Sequence, residues 1–463
     1  KIFVSTPTDF ASLPLPAALL TNLADLGYSS MTAIQAQSLP VILKGLDVIA
    51  QAKTGSGKTA AFGVGILSPL NPRYFGCQAL VLCPTRELAD QVAKEIRRLA
   101  RAEGNIKVLT LCGGVPFGPQ VGSLEHGVHI VVGTPGRILE HARKGTLDLS
   151  GLNTLVLDEA DRMLDMGFYD SIADIVEFTP KRRQTLLFSA TFPEGIQQLA
   201  ANFLRDPQHI KADVEHAEHQ IEQHFYEITP EQREAAVERI LRHYRPDACV
   251  AFCFTKQQTQ DLADYLNSEK ISALALHGDL EQRERDQVLA LFSNRSCSVL
   301  VATDVAARGL DIDALPMVIN VELARDPEIH THRIGRTGRA GAKGIAISLV
   351  APKEGNRASA IEEQLRKPLH WHALNGLKES DGQPLLPAMA TLCISAGRKD
   401  KLRPGDILGA LTGIGGLTGA QVGKISIFDH QAFVAVERLL ARQTQQRLEA
   451  GKIKGRSLKV RVL

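Results

Sequence analysis

The sequence lacks the features that mark membrane-spanning, lipid-anchored and disulfide-stabilised proteins. It contains no run of eighteen apolar residues, no charged segment followed by an apolar leader, and no lipidation motif. Its seven cysteines never form a Cys-x-x-Cys motif and mostly lie within apolar runs, which is typical of buried, reduced thiols. These absences argue against a structural metal cluster and a disulfide frame, and we expect a soluble, cytoplasmic protein.

The composition is that of a globular protein with an uneven charge distribution. The 463 residues are 44% hydrophobic and 22% charged, and this length predicts two to four domains. Residues 388–463 contain 13 Lys and Arg but 5 Asp and Glu, a net charge of +8, so the rest of the chain carries −6 of the overall +2. The basic C-terminal module predicts a polyanionic partner, although a solvated basic face would have the same composition.

The segment 52–59 has the pattern of a phosphate-binding loop. Gly55 and Gly57 allow successive backbone N–H groups to converge on an anion, and Lys58 adds a positive charge. The Thr59 hydroxyl is placed to coordinate Mg²⁺. Because a strand pattern precedes the segment and a helical pattern follows it, the helix N-terminus would point at the phosphates. A plain glycine-rich turn is the alternative.

Short apolar runs then alternate with helical patterns. The runs show no polar alternation, which indicates a parallel sheet covered by helices on both faces. The predicted strands are 80–82, 108–111, 130–132, 155–157 and 185–188. Ligands of such sheets bind at the carboxyl ends of the strands, and the candidate motifs follow these ends.

Two of these strands end in polar motifs. Asp158 and Glu159 leave one strand beside the phosphate loop, so the first carboxylate can hold Mg²⁺ while the second orients or deprotonates a water molecule. An acidic helix cap would account for one of the acids up to Asp161, but not for all three. Ser189 and Thr191 follow the next strand and can relay hydrogen bonds from the carboxylates to a second ligand.

A second set of alternating strands and helices follows a polar segment at 206–222, which we predict to be a linker. The predicted strands are 250–252, 273–276, 299–302, 318–320 and 345–349. This half has no glycine-rich loop, so it can contribute to a nucleotide site only from across a cleft. The motif 332–339 carries three arginines on a turn that we expect to enter a helix, where they could stabilise a γ-phosphate. An exposed basic helix would have the same pattern.

A second predicted linker, 371–387, precedes the basic C-terminal module. From residue 388 onward the pattern is β-α-β-β-α-β, the order of an RNA-recognition motif. Stacking aromatics are nearly missing, with Phe428 and Phe433 as the two present. We therefore expect RNA to contact basic residues on a non-standard surface. The candidates are Arg398, Lys399, Lys401, Arg403, Lys452, Lys454 and Arg456.

Taken in order, the motifs closely resemble those of the DEAD-box RNA helicases over about the first 350 residues. The resemblance implies an α/β fold with two RecA-like parallel-sheet domains in tandem, followed by an α+β domain like an RNA-recognition motif. The expected boundaries are 1–205 for the first domain, 223–370 for the second, and 388–463 for the RNA-targeting domain.

The same resemblance assigns roles to individual residues. The catalytic residues would be Lys58, Asp158, Glu159, Arg336 and Arg339, and the metal ligands Thr59 and Asp158. ATP would contact Tyr28, Gln35, Ala52, Lys53, Thr54, Gly55, Ser56, Gly57, Lys58, Thr59 and Asp311, with Tyr28 and Gln35 reading the adenine. The residues that couple ATP to RNA would be Asp161, Ser189, Thr191 and His332. The core RNA contacts would be Arg86, Gly113, Gly114, Thr134, Arg137, Gln282, Arg285 and Thr303, which suit phosphates and 2′-hydroxyls and carry no base code.

Two residues depart from the family pattern. Met31 stands where proline is usual, and Phe254 stands where asparagine is frequent, so we expect no polar RNA contact from the side chain at 254. The segments 403–413 and 451–455 are similar to the C-terminal domain of a bacterial member of the family. That similarity implies targeting to 23S ribosomal RNA and a role in assembly of the large ribosomal subunit.

We therefore expect an RNA-stimulated ATPase that locally separates short RNA duplexes. Its cofactors would be ATP and Mg²⁺, and its partner would be large-subunit ribosomal RNA in a pre-ribosomal particle, bound by a monomer. Two alternatives stay open. The protein could be an ATP-gated RNA clamp or remodelling factor that never separates strands, and the C-terminal module could dock a protein.

Overall fold

The computed structural model describes residues 8–52, 55–102, 104–192, 194–211, 221–307, 315–338, 343–377, 383–413 and 416–463. The chain forms two compact units that divide near residue 215. One parallel sheet lies in the first unit, while the second unit holds a parallel sheet and a small antiparallel one. None of the helices in the described ranges is long and apolar enough to cross a bilayer.

The first unit is a helix-covered parallel sheet. Its helices are α1 (Ala17–Asp25), α2 (Ala33–Ile42), α3 (Lys58–Leu67), α4 (Arg86–Leu99), α5 (Phe117–Leu124), α6 (Pro135–Arg143), α7 (Ala160–Asp165), α8 (Tyr169–Glu177) and α9 (Glu194–Phe203). Its strands are β1 (Val48–Gln51), β2 (Ala79–Leu82), β3 (Val108–Leu111), β4 (Ile130–Gly133), β5 (Thr154–Asp158), β6 (Gln184–Ser189) and β7 (Gln208–Lys211). Within the described ranges they form seven parallel strands in the order β3-β4-β2-β5-β6-β1-β7.

Both faces of this sheet are buried, which explains the absence of polar alternation in the strands. In β2, Val81 belongs to the core on one face, whereas its neighbours Leu80 and Leu82 belong to the core on the other. Successive strand residues point to opposite faces, so a strand covered on both sides needs apolar residues at every position. The continuous apolar runs are therefore a direct consequence of the layered fold.

The second unit repeats this architecture and adds a small domain. Its helices are α10 (Arg233–Tyr244), α11 (Lys256–Ser268), α12 (Gln282–Ser293), α13 (Asp304–Ala307), α14 (Pro327–Ile334), α15 (Gly355–Leu365), α16 (Pro404–Thr412) and α17 (Ala441–Ala450). The strands of its parallel sheet are β8 (Ile221–Glu227), β9 (Cys249–Cys253), β10 (Ala273–Leu276), β11 (Val299–Thr303), β12 (Met317–Asn320), β13 (Gly344–Val350) and β14 (Trp371–His372). The small domain contributes β15 (Met389–Ile394), β16 (Val422–Ile427), β17 (Ala432–Glu437) and β18 (Val460–Val462).

The described strands of the second unit form two sheets. Seven parallel strands have the order β10-β11-β9-β12-β13-β8-β14, and four antiparallel strands have the order β16-β17-β15-β18. Helices α16 and α17 complete the β-α-β-β-α-β order of the small domain. The predicted fold, two parallel-sheet domains followed by an α+β domain, is confirmed.

Both predicted linkers contain strands. Strand β7 lies inside 206–222, and β14 lies inside 371–387 and pairs in parallel with β8. These are edge strands with few buried residues; in β7 Ile210 is the one buried side chain. An edge strand that packs one residue into a core has no apolar run, so its sequence resembles a polar connection. The predicted domain boundaries themselves stay a prediction.

Candidate nucleotide and RNA sites

The phosphate loop lies between β1 and α3. Gly55 and Gly57 have φ angles of +82° and +93°, in the left-handed region that favours glycine. A Cβ atom at Gly57 would lie 2.5 Å from Nε2 of Gln35, which donates a hydrogen bond of 3.0 Å to the Gly57 carbonyl. Glycine at 57 therefore allows both the turn and the approach of Gln35. The predicted contacts Lys53 and Thr54 lie outside the described residues.

Lys58 is a buried cation at the first position of α3. Its side chain is 6% exposed, and its Nζ has no hydrogen-bond partner among the described residues. The Ser56 hydroxyl is likewise buried without a partner in that part of the chain. A buried ammonium group without a hydrogen-bond partner is costly, so this arrangement suits a bound anion.

Asp158 ends β5 as a buried carboxylate. Its pKa is raised to about 6, chiefly by burial; the positive charge of Lys58 opposes this shift, and the nearby Glu159 and Asp161 carboxylates add to it. The Asp158 Oδ1 atom accepts a hydrogen bond of 3.0 Å from the Glu159 N–H. A buried carboxylate next to a buried ammonium group fits the binding of a metal-associated phosphate.

Glu159 is held in an unusual backbone conformation by its surroundings. Its φ angle is +52°, which is rare outside glycine and occurs mainly at functional sites. Its Oε2 atom lies 2.6 Å from Nη1 of Arg162, and both side chains are buried. Sequence reasoning missed Arg162, although the spacing of three residues on one helical turn was a visible signal.

Asp161 connects the two polar motifs of the first sheet. Its Oδ2 atom accepts hydrogen bonds of 3.0 Å from both the backbone N–H and the hydroxyl of Thr191, and one of 3.2 Å from the N–H of Ala190. The Ser189 hydroxyl is buried without a partner among the described residues. The structure thus joins Asp161 and Thr191, two of the residues predicted to couple ATP to RNA, and places Ser189 at the end of β6, two residues before Thr191.

The predicted adenine-reading residues pack against the phosphate loop and α4. Gln35 is buried, and its Oε1 accepts a hydrogen bond of 2.9 Å from the Thr32 N–H, so the side chain links Thr32 to Gly57. Tyr28 is half-buried, and its hydroxyl donates to the Glu95 carboxylate. Gln35 and the loop therefore form one connected unit.

The RNA candidates of the first sheet follow the carboxyl ends of its strands. Arg86 begins α4 after β2, and its Nη1 is buried without a partner among the described residues. Gly113 and Gly114 follow β3, and Thr134 follows β4. Arg137 instead holds the intervening loop, since it donates bonds of 3.0 Å to the Val115 carbonyl and 2.8 Å to Gln120 Oε1.

The arginine motif of the second sheet lies at the end of a helix, so the expectation that the turn enters a helix was wrong. Helix α14 starts upstream because Asp326 caps it, accepting from the Glu328 N–H at 2.7 Å, and Pro327 occupies its first turn. It ends at Ile334. Arg336 is buried just beyond that end. Arg339 and Asp311 lie outside the described residues.

The arginines of this motif are not equivalent. Arg333 is 2% exposed, and its Nε and Nη2 atoms lie 2.6 and 2.7 Å from the two carboxylate oxygens of Asp304. Its Nη1 also donates to the Asn320 side chain and the Glu322 carbonyl. Arg333 therefore ties α14 to the ends of β11 and β12, and His332 is the half-buried residue before it.

The RNA candidates of the second sheet lie at one edge. Thr303 is the last residue of β11, and its Oγ1 accepts a hydrogen bond of 3.4 Å from the Ala306 N–H. Gln282 and Arg285 occupy the first turns of α12, where Gln282 Nε2 donates to Asp286 at 2.8 Å. The carboxyl end of β11 thus carries the Thr303 hydroxyl group.

In the C-terminal domain, two loops bring several of the basic candidates together. Lys454 donates to the Lys401 carbonyl and lies 3.5 Å from Asp406. Arg456 lies 4.0 Å from Asp400. The basic candidates in the two loops, which are mostly exposed, are Arg398, Lys399, Lys401, Arg403, Lys452, Lys454 and Arg456.

The open face of the C-terminal sheet is covered by the chain's own second parallel-sheet domain. The Thr391 hydroxyl lies 3.1 Å from Nδ2 of Asn294 and 2.7 Å from Oγ of Ser296, in buried contacts. Phe433, 1% exposed, packs in one cluster with Cys393 and with Ala290 of α12. The central strands β15 and β17 of this face are therefore occupied, and the RNA surface of the domain stays a prediction.

Comparisons with known families match most of the chain. Residues 32–199 match the DEAD/DEAH box helicase family, and residues 231–341 match the helicase conserved C-terminal domain. Residues 391–462 match the DbpA RNA binding domain.

Individual relatives extend over the same regions. The ATP-dependent RNA helicase DbpA of Escherichia coli is 55% identical over 98% of this chain and 100% of its own length. The DEAD-box ATP-dependent RNA helicase CshA of Bacillus subtilis is 41% identical over 78% of this chain and 73% of its own. Among solved structures, Saccharomyces cerevisiae Dbp5 bound to RNA and ADP BeF3 has a TM-score of 0.72 at 31% identity, covering 80% of this chain and 96% of that one. Mss116p bound to ssRNA and AMP-PNP has a TM-score of 0.73 at 26% identity, covering 82% of each chain.

Proposed function

Because this chain belongs to the ATP-dependent RNA helicases of the DEAD-box family, we propose that it separates short RNA duplexes locally through cycles of ATP binding and hydrolysis. The observation that carries the proposal is the buried Lys58 ammonium group, which has no partner among the described residues and lies beside the buried Asp158. A triphosphate would supply the missing negative charge. The relatives Dbp5 and Mss116p, whose structures hold RNA with a nucleotide or its analogue, support this assignment.

The residues of the first sheet divide the nucleotide chemistry among them. Lys58 and the loop N–H groups bind the phosphates, and Gln35 with Tyr28 contacts the adenine. Thr59 and Asp158 would hold Mg²⁺, which neutralises phosphate charge when bound. Glu159 orients or deprotonates the attacking water, and its ion pair with Arg162 fixes the carboxylate for that task.

The second sheet supplies the arginines. Arg336 and Arg339 stabilise the charge that develops on the γ-phosphate, and Asp311 contacts the ribose, in the state that holds both ATP and RNA. The hydrogen bonds from Thr191 to Asp161 support a coupling route from the catalytic carboxylates to RNA. Each ligand then raises the affinity for the other, as linkage requires.

The C-terminal domain directs the enzyme to its RNA. Its match to the DbpA RNA binding domain supports recognition of large-subunit ribosomal RNA during ribosome assembly. The loops that carry Lys401, Lys454 and Arg456 are the recognition surface, since the sheet face is covered by Ala290 and its neighbours.

An ATPase assay of the full chain tests the catalytic assignment. Glu159→Gln should lower RNA-stimulated turnover by about 100-fold or more, because a positioned general base contributes about 100- to 10,000-fold. Full turnover in this variant would overturn the role of Glu159. Displacement of a short RNA duplex in the same preparation separates a helicase from an RNA clamp, since a clamp hydrolyses ATP without releasing the strand.

A competition assay tests the targeting assignment. A fragment of 23S ribosomal RNA should stimulate turnover at a lower concentration than an unrelated RNA of equal length. Replacing Lys454 and Arg456 with Gln should remove that advantage while stimulation by the unrelated RNA persists. Equal stimulation by both RNAs in the unaltered chain would contradict ribosomal targeting.

A further inference from the structure

The end of strand β9 carries an aromatic ring surrounded by arginines. Phe254 follows β9 directly and is partly exposed. The guanidinium carbons of Arg325, Arg333 and Arg357 lie 5.2, 5.6 and 5.2 Å from the centre of its ring. All three distances fall within the roughly 6 Å over which the face of an aromatic ring attracts a cation. The Phe254 ring is therefore in contact with three positively charged guanidinium groups, which would otherwise repel one another.

Arg333 is the structural member of this group. It is fully buried and makes the bidentate pair with Asp304. Its Nη1 atom donates to Asn320 and to the Glu322 carbonyl. Four of its five N–H donors are thus used within the domain, and the buried side chain is not exposed to a ligand.

Arg325 and Arg357 differ from Arg333 in both respects. Arg325 is exposed and makes no ion pair with the described residues. Arg357 is half-exposed, and its nearest carboxylate, Glu354, lies 3.6 Å away and is already bonded to Arg233 at 2.8 Å. The two guanidinium groups therefore retain N–H donors that can bind an anion.

The ring lies on the edge of the sheet that carries the proposed RNA contacts. Strand β9 pairs with β11 in a register that places Thr303 opposite Cys253, the residue before Phe254. On its other side β9 pairs with β12, and the chain continues from β12 into the segment that carries Arg325. Neighbouring strands are about 4.8 Å apart, so Phe254 lies about one strand spacing from Thr303.

We propose that Arg325 and Arg357, oriented by the Phe254 ring, bind phosphates of the RNA strand next to the nucleotide held at Thr303. A guanidinium group that stacks on a ring keeps its N–H edge free for bidentate contact with phosphate. The ring also restricts the rotamers of both side chains before RNA arrives, so less conformational entropy is lost on binding. The inference rests on the proposed RNA function of the second sheet and adds a phosphate-binding position beyond Thr303.

The salt dependence of RNA binding tests the two arginines. Binding of a short fluorescent oligouridylate to the full chain is measured with a non-hydrolysable ATP analogue over a series of salt concentrations. The double variant Arg325→Gln with Arg357→Gln should flatten the slope of log K against log salt by about 1.4, because each phosphate contact on a single strand contributes about 0.7. Arg366→Gln, an exposed arginine at the end of α15, should leave the slope unchanged.

The ring is tested by a variant that keeps every charge. Phe254→Leu should weaken RNA binding about threefold or more without changing the slope, because both arginines remain but lose their orientation. Phe254→Tyr should restore the affinity, and thermal melting of each variant verifies folding. A double variant with the slope of the unaltered chain would overturn the arginine contacts, and unchanged affinity in Phe254→Leu would overturn the positioning role. If the unaltered chain did not bind RNA, the proposed function would fail instead.

Discussion

The two parallel sheets of this protein share one strand order but carry different chemistry. Each strand from β1 to β7 has a counterpart from β8 to β14 at the same place in the second sheet. The carboxyl edge of the first sheet holds carboxylates and the buried ammonium group of Lys58. The corresponding edge of the second sheet holds the buried arginine Arg333, paired with Asp304, and the aromatic ring of Phe254. Topology fixes where a ligand can bind, and the residues at that edge fix which ligand it is.

The loops after β1 and β8 show how this difference arises. The loop after β1 contains Gly55 and Gly57 at positive φ, so its N–H groups can face an anion. The chain after β8 instead forms a short 3₁₀ helix, Pro230–Gln232, capped by Thr229. Proline has no N–H to donate and a fixed φ, so this turn cannot cradle a phosphate.

The two parallel-sheet domains also differ in the partners of their buried, positively charged side chains. Arg333 is buried with the Asp304 carboxylate, whereas Lys58 is buried without a partner among the described residues. The Asp304 carboxylate compensates the burial of Arg333, whereas the buried Lys58 ammonium group keeps donors that a bound anion can use. Lys58 in the first domain therefore has donors available for a ligand, whereas Arg333 in the second is already paired with Asp304.

The largest expected effect is on RNA-stimulated ATP turnover, and ATP binding then distinguishes Lys58 in the first domain from Arg336 in the second. Lys58→Gln and Arg336→Gln should each reduce RNA-stimulated ATP turnover by about 1,000-fold, because both remove a cation from the transition state. Lys58→Gln should also weaken ATP binding, whereas Arg336→Gln should leave the ATP dissociation constant within about twofold, since an arginine of this kind acts on the transition state. Titration of a fluorescent ATP analogue checks this. Equal loss of ATP affinity in both variants would contradict the assigned division.

The next largest effect is expected on the free energy of unfolding, when the ion pair between Arg333 and Asp304 is broken. Arg333→Met should destabilise the second parallel-sheet domain by about 3–5 kcal/mol, since it leaves Asp304 without its buried partner. Urea unfolding of the full chain, followed by hydrogen exchange in β11 and β12, measures the loss. Arg325→Met, at an exposed arginine, should change stability by less than about 0.5 kcal/mol. A similar small change in Arg333→Met would show that the pair is not structural.

A smaller effect is expected in the phosphate loop. Gly57→Ala should weaken ATP binding about tenfold or more, because alanine at this φ costs about 1–2 kcal/mol and its Cβ would displace the Gln35 amide. Gly45→Ala is the matched control: Gly45 has a φ of +75°, and an added Cβ would meet no atom within 4 Å. That variant should lose stability but keep its ATP affinity. Isothermal titration with ATP compares the two, and equal affinities would refute the role of the Gln35 approach.

The smallest effect is expected where the C-terminal sheet covers α12. Thr391→Val should cost about 1 kcal/mol, since it removes the acceptor of the hydrogen bond that the buried Asn294 amide donates. Hydrogen exchange in β15 and at the end of α12 should rise together. Thr412→Val, at an exposed hydroxyl that bonds the Leu408 carbonyl, should leave exchange at both places unchanged. Faster exchange in β15 alone would show that the contact does not hold the two domains together.

Local patterns predicted most of the fold. The strands 80–82, 130–132 and 273–276 were placed to within one residue, because a strand buried on both faces is apolar at every position. The edge strands β7 and β14 were missed, since β7 buries one side chain and β14 buries none, which leaves no periodic signal. The phosphate loop was recognisable because its requirements, glycine at positive φ and a cation at the start of a helix, are local.

The sequence by itself determined the motif series, the two alternating sheets and the basic C-terminal module, because each is written in neighbouring residues. Tertiary structure decided that Arg333 forms a buried ion pair, by placing Asp304 against it. It also decided that Phe433 packs against α12, where no base can stack on it, and that arginine side chains lie within cation–π distance of the Phe254 ring. These outcomes depend on contacts between residues far apart in the chain, and no local pattern specifies such contacts.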